Sequence, residues 1–412
     1  MTPPEALAGS ERHLDRALLG TLIAVFAGFA IAYTRITPLG ASPDELSHLH
    51  YITGIADHVR LPPAGEPERQ QPPLYYLLGA IVAKLTGDDP RLIRLLSVVL
   101  GVLTILTVFL VARRLFPMRP YLAIGAAALV ALLPEAQYLA GAINDDNLAW
   151  LAGAVLVLAG VVVMQSRMLT TRLALGAGLA VALAVLAKET VWALAVLLLV
   201  IVAVRFWRRL RMVQVAAIVL PTVVLDGWWF VRNTVAFGSP LPPLHPITSQ
   251  RQVFDSLSQV RGYVAATALS LVGMYGNGAH FVAISIFGAR PLPSTVAIAA
   301  IALLTIAACV AVVRSWGLWT PARRGVAVLL LAVILVALAQ SVLNSATFDL
   351  QPQARYLLVA VAAAAPITAW TIAWRRTRPL STARASAIAA LVVVAVLLDV
   401  SGLMTAAHAA AS

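Results

Sequence analysis

The stretch "PPLYYLLGAIVAKLTG", residues 72–87, decides how this chain is threaded. From Leu74 to Thr86 it reaches only about 20 Å as a helix, against roughly 30 Å of membrane hydrocarbon. Counted as a membrane span, it also inverts every later loop. Laid along the interface after its Pro-Pro start, it leaves the arginine-rich loops on one side. These are "RRLFPMR" (113–119), "RFWRRLR" (205–211), "RSWGLWTPARR" (314–324) and "RRTRPLSTAR" (375–384), with "SRMLTTR" (166–172) a weaker fifth. By the positive-inside rule that side is the cytoplasm. The sequence therefore predicts an interfacial helix over 74–86.

The rest of the chain follows from that choice. Of 412 residues, 60% are hydrophobic and 12% charged, a composition outside the soluble globular range. The apolar runs are rich in Ala, Leu and Val and do not alternate, so they read as helices and not as barrel strands. An all-α polytopic bundle of eleven spans is expected: 17–36, 92–112, 120–139, 147–165, 173–187, 190–204, 212–231, 294–313, 325–343, 356–374 and 385–404. The amino terminus is cytoplasmic and the protein sits in the cell membrane as one integral domain, 1–412. No cleavable signal and no internal repeat are expected, because the first apolar run is followed by further spans. The formal charge of +12 is explained by the loops, which excludes nucleic acid as a partner. A single cysteine, Cys309, excludes an intrachain disulfide or a cysteine metal cluster.

Acids were not used in that threading, and they sort by it. After Asp15 every Asp and Glu falls in an outer loop or near the outer end of a span, Asp226 included. Two long pieces, 37–91 and 232–293, lie on the same outer side, where function tends to gather.

Within the first of these, "ASPDELSHLHY" (41–51) concentrates titratable groups. As a helix start it gives Ser42 as N-cap, Pro43 at N1 and Glu45 at N3 of a capping box. That leaves Asp44, His48 and Tyr51, spaced to share one helical face. Adjacent acids do not face one another on a helix, so Asp44 and Glu45 are a poor glycosidase pair. Glu45 and His48 form one E-x-x-H half-site, and the chain has no second copy for a di-metal centre. The remaining chemistry is one carboxylate as general base, with neighbours holding a phosphate or a divalent cation. Cationic partners stand at span ends on the same side: Lys188 in "AKET", Arg232 in "WWFVRN" and Arg355 in "QPQARY". Each is equally readable as a snorkelling interfacial residue.

Asp145 in "NDDN" (144–147) reads as a helix cap or as a second contact to substrate. Trp228 and Trp229 read as interfacial belt residues, and Tyr75 and Tyr76 as headgroup-depth anchors or guides for a lipid chain. Gly273, Gly276 and Gly278 mark a tight backbone passage.

Taken in order, these motifs resemble the GT-C superfamily of polytopic glycosyltransferases: the acid pair after the first span, P-P-L-Y-Y, N-D after the third span, R-N…G-S-P-L, G-M-Y-G and Q-x-R-Y-L. Within it they resemble an uncharacterised membrane family allied to the protein-mannosyl and lipid A aminoarabinose transferases, over about residues 17–366. It implies transfer of a sugar, with inversion, from a polyprenyl-phosphate carrier to a lipid, glycan or protein acceptor on the extracytoplasmic face. It implies Asp44, with Glu45 as alternate, as base or metal ligand. It implies substrate contacts from His48, Tyr51, Asp145, Lys188, Arg232, Asn233, Arg355 and Tyr356. No cofactor is fixed by it beyond a divalent cation left open. Here "QQPPL" (70–74) lacks the lysine that the aminoarabinose transferases carry before their prolines, which moves phosphate contact towards Lys188, Arg232 and Arg355. The competing readings are a transporter or lipid flippase, and a noncatalytic scaffold of the same fold. A transporter keeps ionisable groups at mid-membrane, whereas here they lie at span ends.

Overall fold

The computed structural model describes residues 3–63, 66, 68–241, 256–272, 274–275, 282–283, 285–286, 290–291, 294–347, 352–373, 400 and 404. Fourteen α-helices follow among these: α1 (Pro3–Ile36), α2 (Glu45–His58), α3 (Leu74–Thr86), α4 (Pro90–Leu115), α5 (Pro120–Ala131), α6 (Pro134–Ala140), α7 (Asp146–Gln165), α8 (Thr171–Ala187), α9 (Trp192–Phe206), α10 (Met212–Phe237), α11 (Leu257–Val272), α12 (Ser294–Trp316), α13 (Pro321–Thr347) and α14 (Val361–Ile372). Between α11 and α12 two short antiparallel pairings occur, Met274–Tyr275 with Val282–Ala283 and Ser285–Ile286 with Arg290–Pro291.

The chain is a multi-pass membrane protein. Among the described residues seven helical segments are long and apolar enough to cross a membrane, and eight if α5 and α6 count as one broken span. α8 and the 301–316 part of α12 are apolar but shorter. The expected span 385–404 lies outside the described residues apart from 400 and 404, as do Gly273, Gly276 and Gly278. The count of eleven is therefore not reached among the described residues. Where a single span was expected over 120–139, α5 and α6 meet at 62°. The cause is Pro134, which lacks an N–H and forces the residue before it out of the helical region; Leu133 is extended, with φ −90° and ψ 115°.

α3 has the bounds expected from sequence and stops at Gly87, whose φ of 67° completes a left-handed cap. α4 starts cleanly because Pro90 sits in its first turn and the Asp89 carboxylate accepts from the Arg91 N–H at 2.9 Å. α7 packs against α4 on one side and against a 3-10 stretch, Ala354–Ala360, on the other. That approach requires Gly153, since a Cβ there would overlap the Val359 carbonyl. The contact matters because it presses Arg355 onto the start of α7.

At the end of the bundle formed by α2, α3, the α6–α7 turn and Lys188, the core is polar and charged. Glu45, His48, Arg94, Asp145, Lys188 and Arg355 are all buried there. One acid departs from that pattern. Asp226 is fully buried near the middle of α10, with both carboxylate oxygens lacking a hydrogen-bond partner. It is not near a span end, because α10 continues through Phe237 instead of stopping at 231.

Candidate active site

α2 begins at Glu45, three residues beyond the expected cap. Asp44 holds the N-cap position with φ 60° and ψ 9°, and its side chain makes no capping bond. The Ser42 capping box does not form because the Glu45 carboxylate has stronger partners. It accepts from Arg94 Nε at 2.7 Å and Arg94 Nη2 at 2.8 Å. It also accepts from the Gly40 N–H at 2.9 Å and the Ile143 N–H at 3.0 Å. Arg94 spends its other donors on the Thr34 and Thr37 carbonyls, at 2.8 and 2.9 Å. This bidentate ion pair thus ties together the end of α1, the start of α2 and the α6–α7 turn.

Asp44 is left facing outward. Its side chain is 48% exposed, and Arg355 Nη2 donates to its Oδ2 at 3.1 Å. A left-handed non-glycine residue costs about 1–2 kcal/mol, and Asp is among the few types that tolerate it. Arg355 is itself buried, donates to the Tyr356 hydroxyl at 2.7 Å and lies 3.6 Å from Asp146. Its backbone carbonyl accepts from Trp150 Nε1 at 2.9 Å, which fixes the 3-10 stretch on α7.

Below this pair lies a buried triad. Lys188 sits at the break between α8 and α9 and reaches Asp145 Oδ1 at 2.5 Å and Asp146 Oδ1 at 2.7 Å. Burial alone would lower the Lys188 ammonium, but the two carboxylates outweigh it and hold the group above its ordinary value. Asp145 does not cap α7 with its side chain; Asn144 does so, accepting from the Asp146 N–H at 2.8 Å.

Of the expected face, His48 and Tyr51 turn inward while Asp44 turns out. His48 Nδ1 is 3.0 Å from the Tyr76 hydroxyl, and its Nε2 is 3.7 Å from Asp145. The Tyr51 ring stacks on Tyr76 with centroids 3.8 Å apart. Tyr75 and Tyr76 are fully buried and are not headgroup anchors. Their hydroxyls find partners inside: Tyr75 with Ser97 at 2.9 Å and the Asn144 N–H at 2.9 Å, Tyr76 with Asp145 at 3.4 Å. Burial pushes the Tyr51 and Tyr76 phenols up, so both remain neutral donors. Trp229 is likewise buried, packed on Trp192, while Trp228 keeps the exposure expected of a belt residue.

Arg232 joins the site through the 61–71 segment. Its guanidinium donates to the carbonyls of Pro62 and Arg69 and to Asn233 Oδ1, the last at 3.1 Å. Asn233 in turn donates to the Pro240 carbonyl at 3.3 Å. Arg69 makes one weak bond, to the Glu66 carbonyl at 3.4 Å, and its Nε is buried without a partner. Among the described residues neither arginine has a carboxylate within ion-pair distance. Glu68 has a left-handed backbone, with φ 56°. Burial raises its carboxyl, His48 and Lys188 oppose that, and Asp145 and Asp44 add to it.

Arg94, Arg69 and Glu68 are the residues that sequence reading missed. Arg94 sits inside an otherwise apolar helix, and that was its available signal. Arg69 and Glu68 lie in a loop whose pattern carries none. Among the described residues no group of three or more His, Cys, Asp and Glu side chains is placed to hold a metal ion.

A family model described as "Dolichyl-phosphate-mannose-protein mannosyltransferase" matches residues 70–229. No curated protein matches the chain by sequence. Among solved structures, ArnT from Cupriavidus metallidurans in the apo state is similar at 17% identity and a TM-score of 0.56, covering 91% of this chain. The same protein bound to undecaprenyl phosphate is similar with a TM-score of 0.53 at the same identity. The chain spans 63% of the length of the ArnT chain in both. Both comparisons agree with the resemblance read from the motifs, and the fold is similar to that of ArnT.

Proposed function

We propose that this protein transfers a sugar from a polyprenyl-phosphate carrier to an acceptor hydroxyl on the extracytoplasmic face of the membrane, with inversion and with Asp44 as general base. The observation that carries the reading is the pairing of a half-exposed, left-handed Asp44 with Arg355, at the same end as two guanidiniums, Arg69 and Arg232, that lack carboxylate partners. Undecaprenyl phosphate bound to the similar ArnT supports a polyprenyl-phosphate donor.

In this reading the acceptor hydroxyl gives its proton to Asp44 as its oxygen bonds to the anomeric carbon. The bond from that carbon to the phosphate oxygen breaks, and its electron pair leaves with the lipid phosphate. The phosphate passes from one negative charge to two. Fixed guanidiniums stabilise the second charge more than the first, which is the condition for acceleration. Arg232 and Arg69 supply them, because Lys188 and Arg355 are already engaged by carboxylates. Glu45 is a structural tie in this scheme, and His48, Tyr51 and Asp145 form the floor on which Asp44 and the donor rest. The amino terminus and the arginine-rich loops face the cytoplasm.

The test is direct. Purified protein in nanodiscs is supplied with a panel of undecaprenyl-phosphate sugars and a membrane extract as acceptor, and freed undecaprenyl phosphate is followed by mass spectrometry. Release from at least one donor is expected; release from none defeats the proposal.

A further inference from the structure

Between the turn that opens α9 and the last turns of α13, a half-open pit is lined by Thr190, Ala337, Gln340, Ser341, Asn344 and Tyr356. Its volume of about 10 Å³ suits one water-sized group. The lining offers hydroxyls and carboxamides and no charged side chain. Two of its polar atoms, Thr190 Oγ1 and Gln340 Oε1, are buried without a hydrogen-bond partner. Ser341 is already engaged by the Tyr263 hydroxyl at 3.0 Å. Orphaned buried polar atoms are uncommon in native folds and ask for a ligand or a water. The pit is also tied to the reacting end. Tyr356 on its wall accepts from Arg355 at 2.7 Å, and Arg355 reaches Asp44 at 3.1 Å.

A hydroxyl is the group that fits both orphans, since it donates to the Gln340 oxygen while accepting from the Thr190 O–H. An ammonium has donors only and brings a charge that no carboxylate in the pit would meet. A methyl leaves both orphans unmet. We propose that this pit reads one hydroxyl of the transferred sugar. The assignment rests on the glycosyl-transfer reading above. Sites built to hydrogen-bond a substrate hydroxyl reject analogues lacking it, which gives the pit a role in specificity.

The experiment measures binding of two probes to the full protein in nanodiscs: bare undecaprenyl phosphate and undecaprenyl-phosphate hexose. Thr190→Val removes one hydroxyl at constant shape, Gln340→Met removes the amide, and Thr190→Ser restores the hydroxyl. We expect Thr190→Val and Gln340→Met each to lose about 3- to 10-fold in hexose-donor affinity, with bare-carrier affinity within about twofold and recovery in Thr190→Ser. Equal losses for the bare carrier and the hexose donor, or no loss at all, overturn the assignment and leave the pit to a structural water. Failure of the bare carrier to bind wild type, with no donor released, brings down the transfer reading and the pit assignment with it.

Discussion

Asp44 and Glu45 are neighbours in the chain whose carboxylates serve opposite surroundings. Glu45 is 1% exposed and gripped by Arg94 at 2.7 and 2.8 Å, whereas the Asp44 side chain is 48% exposed beside Arg355. A base must meet its substrate, and a tie must not move. The pair divides those duties, and the left-handed Asp44 backbone is the hinge between them.

Asp44→Asn keeps the shape and tolerates the same backbone conformation. It should lower turnover by about 10²- to 10⁴-fold, the range for losing a general base, with donor affinity within about twofold. The check is transfer from a labelled donor under saturating conditions. An Asn variant with wild-type turnover moves the base elsewhere.

Arg69→Ala and Arg232→Ala remove the two guanidiniums that lack carboxylate partners. Each should weaken undecaprenyl-phosphate binding by about tenfold or more, since a charge-assisted bond to phosphate is lost. Titration of the bare carrier into nanodisc-held protein reads this out. Unchanged affinity in both variants would remove phosphate binding from this pair.

Lys188→Met leaves Asp145 and Asp146 buried without their cation. Breaking such an arrangement costs about 3–5 kcal/mol, so the thermal unfolding midpoint in detergent should fall sharply. The folded lysine lies above its ordinary value, so its contribution is complete below that ordinary value and is lost only as pH rises through the raised one. The deficit should therefore stay constant between about pH 6 and 9. A deficit that varies over that window contradicts the triad.

Glu68 gives a slope of the same sign in a lower pH window. Burial raises its carboxyl above the ordinary range, so the folded state binds that proton more tightly than the unfolded chain. Its contribution to stability grows as pH falls through the raised value and is absent well above it. Glu68→Gln should equal or exceed wild type in thermal midpoint at neutral pH, with the gap closing as pH is lowered towards the ordinary carboxylate range. Parallel profiles for the two proteins would show that Glu68 does not titrate this way.

Much of the scaffold was legible because membrane threading has few solutions. The short apolar run at 74–86 and the arginine-rich loops fixed α3 and the helices after it. Pro134 was legible too, yet a 20-residue apolar window averages over it, and the bend between α5 and α6 was passed over. The site was less open to reading. Asp44 and Arg355 came from local pattern, but their meeting spans 311 positions. Arg94 reaches Glu45 across 49 positions, and its place inside an apolar helix marks it as unusual without naming its partner. Tyr75 and Tyr76 look like belt residues in one dimension because only tertiary packing shows that their hydroxyls are needed inside.

Lys188 trails Asp145 and Asp146 by 43 and 42 positions. A ribosome therefore releases the two anions first, on the helix that the rest of the bundle will lean on, and only afterwards the ammonium between two short hydrophobic segments. When that cation arrives, its counter-ions are already in place, so the α8–α9 hairpin has a latch waiting for it instead of a naked charge to hide from lipid. Arg355 comes last and reaches Asp146 at 3.6 Å, so the short stretch Ala354–Ala360 closes over an acid already seated at the start of α7.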